Sequence, residues 1–385
     1  MIKNSVIVLL VVFFISSCSD APTSVGVNLL GDDYIGFKTI NSVEDSIGQT
    51  STYFHKVASL GSSDMLLVSS AKDVEASTLI RFGTVLLDSI ATDINNNNIN
   101  VTSAVIQLHR TYAFGDTLAP FDFTVHKVNS EWTTGFTEDS LPGLQYDADD
   151  ISSQKEITDT VTNITISNDL VMQWLQSTAD TTLPAQNGIY LKPTSGQNHV
   201  IGYKALTANY TDYPTLTAVI EKPGVYVDTL TFVSAYDVSV VEGNIPAVSS
   251  GNLIIRSGFL IFSRLTFYMP ELPKDAIINS AELTLNVDTV ETVVGANYLN
   301  SINAYFALDS TNTDSVSSYV SLARDGNQFT GTITNFVRQW VKGNNNGIIL
   351  TTSSPFDGFE LFTIKGSSSA NLNDRPYLKI TYTSK

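Results

Sequence analysis

Cysteine is almost absent from this chain: Cys18 is the only one in 385 residues. Disulfides therefore cannot hold the fold together, and no thiol pair is available for redox work. Histidine is nearly as rare, with His55, His109, His126 and His199 standing apart. None has a second histidine three or four residues away, which removes the short zinc signatures. Lys and Arg total 21 against 38 Asp and Glu, a formal net charge of −17. Such a surface repels phosphate backbones, so nucleic acid is not an expected partner. Nor is there a Gly-x-Ser-x-Gly elbow, or a glycine loop placed to cradle phosphate ahead of a helix. The chain reads as a non-enzyme. The enzymatic alternative is a diverged polysaccharide hydrolase, whose paired carboxylates only geometry can reveal.

Long apolar runs are missing too, except at the start. Met1-Ile2-Lys3 is basic, and Val6 to Ile15 carries no charge. Ile15-Ser16-Ser17-Cys18-Ser19-Asp20 then passes through small residues into polar sequence. A basic start, a short apolar stretch and small residues make an export signal, too short to span a bilayer. Cys18 directly after the small residues resembles the lipobox of bacterial lipoproteins. That resemblance implies a signal peptide over 1–17, cleavage before Cys18 and acylation of its thiol and amine. Acyl chains contribute about 0.8 kcal/mol per buried methylene, enough to anchor a protein without a transmembrane helix. Residues 18–50 then form a lipidated tether, and the chain faces outward from a bacterial cell envelope, with the outer membrane as the expected site. The bilayer is a partner through acylated Cys18, and the protein is expected to be a monomer.

What is plentiful is Thr, Ser, Asn, Val and Ile, the usage of an extracellular all-β protein. Strand-like alternation appears twice, in Ser103-Ala104-Val105-Ile106-Gln107-Leu108 and Ser280-Ala281-Glu282-Leu283-Thr284-Leu285. Helical spacing also appears twice: Leu170, Val171, Trp174 and Leu175 match Phe336, Val337, Trp340 and Val341. Asn168 or Asp169, and Thr334 or Asn335, suit the N-caps. Asn187-Gly188 and Asn346-Gly347 each lead into a strand, and Pro214 and Pro376 each open a closing one. A weaker pair, Leu79-Ile80-Arg81-Phe82 and Arg264-Leu265-Thr266-Phe267, precedes them. The same blocks in the same order predict two tandem β-sandwich domains, jelly-roll-like, each with one short helix. Their expected bounds are 51–221 and 225–385, joined at Glu221-Lys222-Pro223-Gly224. Trp174 and Trp340 lie on apolar helical stripes and are expected in the cores.

The series is similar to the DNRLRE domain. Its match is an early Phe-ended strand, Ser-Ala-x-Leu-x-Leu, a helix ending in Gln-Trp, an Asn-x-Gly strand and Asp374-Arg375-Pro376-Tyr377-Leu378. The second copy matches best, and Asn129-Ser130-Glu131-Trp132-Thr133 resembles the family's Trp-Thr segment in the first. The resemblance implies a bacterial extracellular β-sandwich related to carbohydrate-binding modules for acidic polysaccharides.

Sugar recognition needs aromatic faces beside amides and carboxyls. Loop candidates are Trp132, Tyr112, Phe114, Phe136 and Tyr146, with Trp132 foremost because its neighbours are polar; the rival role for Trp132 is to plug the sandwich rim. Lys and Arg are too few for a basic groove that would hold an anionic polysaccharide. No cofactor is required, though Tyr146-Asp147-Ala148-Asp149-Asp150 could offer three carboxylates to calcium, which takes six to eight oxygens. The cluster lacks the glycine and distal Glu of a calcium-loop helix pair, and a solvated loop is the alternative for Asp147, Asp149 and Asp150. The leading functional expectation is a surface-anchored, non-catalytic lipoprotein that binds polysaccharide or acts as an adhesion or display module. A ligand-free envelope spacer is the alternative.

Overall fold

The computed structural model describes residues 36–384 except 46, 72–73, 197, 207–210 and 296–297. The signal segment, Cys18 and residues 18–35 of the tether lie outside the described residues. In chain order, β1 (Phe37–Asn41) and β2 (Gly48–His55) come first. Next are β3 (Met65–Ala71), β4 (Val74–Phe82), α1 (Asp88–Asn95), β5 (Asn100–Gly115), β6 (Phe123–Lys127), β7 (Ser152–Ile157) and β8 (Val161–Ile166). Then follow α2 (Asn168–Ala179), β9 (Ile189–Pro193), β10 (His199–Lys204), β11 (Thr215–Lys222) and β12 (Tyr226–Gly243). The rest comprises β13 (Asn252–Arg256), β14 (Ile261–Tyr268), β15 (Ile277–Asn286), β16 (Ser301–Ala307), β17 (Val316–Asp325) and β18 (Gln328–Thr332). It ends with α3 (Thr334–Val341), β19 (Ile348–Thr352), β20 (Leu361–Lys365) and β21 (Tyr377–Thr383).

The fold is all-β, with two sheet bodies that share most of their strand pairings. In the first, β4 lies between β9 and β12, and β5 pairs with both β8 and β11. In the second, β14 lies between β19 and β2, and β15 pairs with both β18 and β21. The pairs β3–β10, β6–β9 and β7–β8 recur as β13–β20, β16–β19 and β17–β18. The alternation seen in sequence is the cause: Ala104, Ile106 and Leu108 in β5, and Ala281, Leu283 and Leu285 in β15, are all fully buried. Trp174 joins the first core and Trp340 the second, each carried there by its helix.

Three local details differ from the sequence reading. α3 begins at Thr334 with Ile333 as its N-cap and no side-chain cap bond, so neither Thr334 nor Asn335 caps it. The cap of α2 is Ser167, one residue before the expected Asn168, and its Oγ accepts the Leu170 N–H at 3.4 Å. The first body also carries an extra helix, α1, which seats Ile90 and Ile94 in its core.

The larger difference is at the ends of the repeats. β12 follows β11 through the turn closed by Val225 N–H to Lys222 O. It pairs with β11 over 226–233 and with β4 over 234–243, so one strand closes both sheets of the first body. No strand after β21 does this for the second body among the described residues. Instead β1 pairs with β21, Phe37 opposite Thr383, and β2 pairs with β14 along its whole length. A tight turn between β1 and β2 makes the change of sheet: Asn41 Oδ1 accepts the Val43 and Glu44 N–H groups, and Ser42 Oγ donates to Pro376 O. Residues 37–41 and 48–50, expected in the tether, and 51–55, expected in the first sandwich, therefore hydrogen-bond to the second body. Residues 226–243, expected in the second, close the first.

The bodies share an apolar interface. Leu67, Val74, Phe114 and Val200 of the first pack with Ile254, Phe259, Ile261 and Phe359 of the second. At its edge, Tyr112 Oη donates to Glu360 Oε1 at 2.9 Å, while Phe359 N–H donates to both Tyr112 Oη and Glu360 Oε2. His55, the last residue of β2, stacks on Phe259 with centroids 4.0 Å apart.

Candidate functional site

The aromatic residues singled out in sequence mostly do structural work. Trp132 is 5% exposed, and its indole N–H donates to Asn187 O at 2.8 Å. It lies with Leu79, Val128, Leu144, Tyr190 and Val238 on the outer face of the first body, beneath a loop that folds back over β4 and β9. The ring is a plug as the rival reading had it, but it covers a sheet face and not the rim of the sandwich. Tyr112 and Phe114 are buried because the end of β5 enters the interface between the bodies. Phe136 is half-buried against the Trp132 cluster. Tyr146 is also half-buried, its ring 5.1 Å from Tyr190 and 5.2 Å from His126. None of these rings offers a bare face to a sugar.

The carboxylate loop is likewise occupied by its own protein. His126 Nδ1 lies 2.9 Å from Asp147 O and 3.2 Å from Asp149 O, taking up carbonyls a cation would need. Asp147 Oδ1 accepts from Asn129 Nδ2. Asp150 Oδ1 accepts from the N–H groups of Val125 and Ser152 and from Ser152 Oγ. Burial raises the Asp150 carboxyl, but those hydrogen bonds and the nearby Lys155 hold it below the usual carboxylate range. Among the described residues no group of three or more His, Cys, Asp or Glu is arranged to hold a metal ion. Through these bonds Asp147, Asp149 and Asp150 tie a loop down.

Trp132→Ala should therefore destabilise the protein by about 3–5 kcal/mol, the usual cost of emptying a large aromatic site. A urea titration of the variant measures it. Saccharide binding by the folded variant should be unchanged.

The matching outer face of the second body has no such cover. Strand register makes Arg264 of β14 the neighbour of Thr52 in β2 and Ile349 in β19. A polar depression of about 280 Å³ opens there, lined by Thr50, Ser51, Thr52, Arg264, Thr266, Tyr268, Ser310, Asn345 and Asn346, without a carboxylate among its described residues. Tyr268 is 55% exposed, and the residue opposite it in register is Gly48. Because Gly48 has no side chain to lay over it, the Tyr268 ring keeps an open face.

Asn346 occupies in the second repeat the place of Asn187 in the first. Its carbonyl accepts not from an indole but from Arg264 Nη1, which also donates to Asp309 O, both at 3.0 Å. The other guanidinium nitrogen, Nη2, is buried with no hydrogen-bond partner among the described residues. Burial pulls the Arg264 pKa down from its ordinary value, with Asp309 opposing, yet a guanidinium remains charged at any physiological pH. The depression thus offers a stacking face, hydroxyls and side-chain amides. No group placed to act as nucleophile and base is seen in it.

An apolar hollow of about 210 Å³ lies beside the polar one on the same sheet face. Another, about 220 Å³, sits between the bodies, where Asp357 Oδ1 accepts from Ser63 Oγ and Asp64 N–H, and Glu360 from Tyr112. No described helix is long and apolar enough to cross a membrane. Comparison with protein-family models and with curated proteins finds no match for this chain.

Proposed function

We propose that this protein is a lipid-anchored, non-catalytic module of a bacterial envelope that binds glycan through the outer face of its second sheet body. The observation that carries this reading is the contrast between the repeats. The face that Trp132 plugs in the first body is open in the second, where it exposes Tyr268 beside the Thr and Asn side chains of the depression. Exposed tyrosine, hydroxyls and amides are the chemistry of saccharide recognition, since a pyranose presents a C–H face to the ring and hydroxyls to the polar groups. The similarity of the repeats to the DNRLRE domain agrees with it. Acylation of Cys18 supplies the anchor, and the protein works as a monomer.

A purified chain lacking residues 1–18, applied to a glycan array with and without calcium, tests the proposal. Binding is expected without calcium, and Tyr268→Ala should weaken it about tenfold or more, roughly 1.4 kcal/mol. The spacer reading has support in the buried Trp132, Tyr112 and Phe114 and in the apolar interface between the bodies. It expects no array signal at all.

A further inference from the structure

We infer that the second body selects N-acylated amino sugars, using the apolar hollow beside the polar depression as an acyl pocket; this rests on the glycan-binding reading above. The two hollows belong to one face. Arg264 is in register with Ile349, Ile349 with Tyr305, and Tyr305 with Tyr319, so these side chains form a row across β14, β19, β16 and β17. With strands about 4.8 Å apart, Arg264 and Tyr305 are separated by only about 10 Å.

The apolar hollow is walled by Phe262, Tyr305, Val316, Ile349, Pro355 and Phe356. The loop after β16 divides it from the polar one, giving Ser310 to one side and Thr313 and Asp314 to the other. That divider is fixed in place. Arg264 Nη1 holds Asp309 O, Asn346 Nδ2 donates to Leu308 O at 2.7 Å, and Lys56 Nζ lies 2.5 Å from Asp314 Oδ1. Asp309 Oδ1 accepts the N–H groups of Thr311 and Asn312, which with the Thr311 hydroxyl lowers its pKa to about 2.

A ligand that fits both hollows must combine hydroxyls with a small apolar group a short step away. An acetamido group beside ring hydroxyls meets both needs, its amide over the polar depression and its methyl in the apolar hollow. Carboxylated sugars fit less well: Lys56 is already paired with Asp314 on the rim, and the chain is acidic as a whole. In the first body the corresponding face is filled by an aromatic ring with one N–H donor, a plug of the same mixed chemistry.

Calorimetry on the chain lacking residues 1–18 tests this with three matched oligomers: β-linked N-acetylglucosamine, glucose, and de-N-acetylated glucosamine. The N-acetylated oligomer should bind at least tenfold more tightly than the glucose oligomer. Val316→Ser and Phe356→Ala, both at partly exposed positions, should each erase that margin and leave glucose binding unchanged. Equal binding of glucose and N-acetylglucosamine oligomers, or tighter binding of the deacetylated one, overturns the acyl pocket while the glycan reading survives. Binding of other array glycans with none of the three does the same. No binding to any saccharide overturns both.

Discussion

A chain that begins at Lys56 is expected to lose its second sheet body while its first stays folded. β1 and β2 contribute two complete ladders, along β21 and along β14, and they place Ile47 in the second core with Ile40 packed against it. Each buried isoleucine is worth about 1.5–3 kcal/mol and each ladder hydrogen bond about 0.5–1.5 kcal/mol net. Their sum is comparable with the whole stability of a domain, about 5–15 kcal/mol. The first body keeps β12 and loses nothing from its own sheets. Hydrogen exchange should show β14, β19 and β21 unprotected in the truncated chain and β4, β5 and β11 still protected. A synthetic peptide spanning 36–56 should restore the lost protection. Binding at the Tyr268 face should disappear with the truncation, because Thr50, Ser51 and Thr52 form one of its walls. Continued protection of β14 without the segment would disprove the role given to it.

Removing the ring that bridges the bodies should have the next largest effect. Tyr112→Ala empties a buried aromatic site, at a cost of about 3–5 kcal/mol, and should split unfolding into separate transitions for the two bodies. Tyr112→Phe isolates the hydroxyl. Burial raises the Glu360 carboxyl above its ordinary pKa, with Asp357 adding to the rise, while the Tyr112 hydroxyl and the Phe359 N–H pull against it. A raised carboxyl favours the folded state below the unfolded pKa, near 4, and that advantage is lost as pH climbs through the folded value. Tyr112 supports the charged form. Its hydroxyl should therefore matter more at pH 8, where about 1.5–3 kcal/mol is the usual worth of a hydrogen bond to a charged group, than at pH 4. Urea titrations of both variants at the two pH values provide the check. An equal penalty at both would show that Glu360 is not held as described.

Much of the architecture could be read from residues that bury one face of a regular element. Ala104, Ile106 and Leu108 declare their strand because the other parity is polar, and Trp174 and Trp340 declare their helices by spacing. The order of such blocks carried over into two bodies with matching pairings. The closing segment was hidden for a physical reason. In Gly48-Gln49-Thr50-Ser51-Thr52-Tyr53-Phe54-His55 no residue is fully buried, so an edge strand left no strong period, and its partner β14 is some two hundred residues away in the chain. Site residues were harder still. Ser130, Glu131 and Thr133 made Trp132 look exposed, but cover comes from tertiary folding that near neighbours do not report. The bare face of Tyr268 depends on a glycine across the ladder, a relation absent from either local sequence. In the acidic loop, Asp150 and the carbonyls of Asp147 and Asp149 serve Val125, Ser152 and His126, partners that the local sequence does not report.

The most direct test of the central claim, that the segment ahead of β3 supplies structural strands to the second sheet body, is a disulfide. Thr39 and Thr381 face each other across β1 and β21, their hydroxyl oxygens 3.5 Å apart. Facing residues of antiparallel strands have Cα atoms about 4.5–5.5 Å apart, within the range a disulfide spans. With Cys18 removed no other thiol competes, so Thr39→Cys with Thr381→Cys should oxidise to an intramolecular bridge in the monomer. Thiols that stay free, or bridges that form only between molecules, would contradict the account.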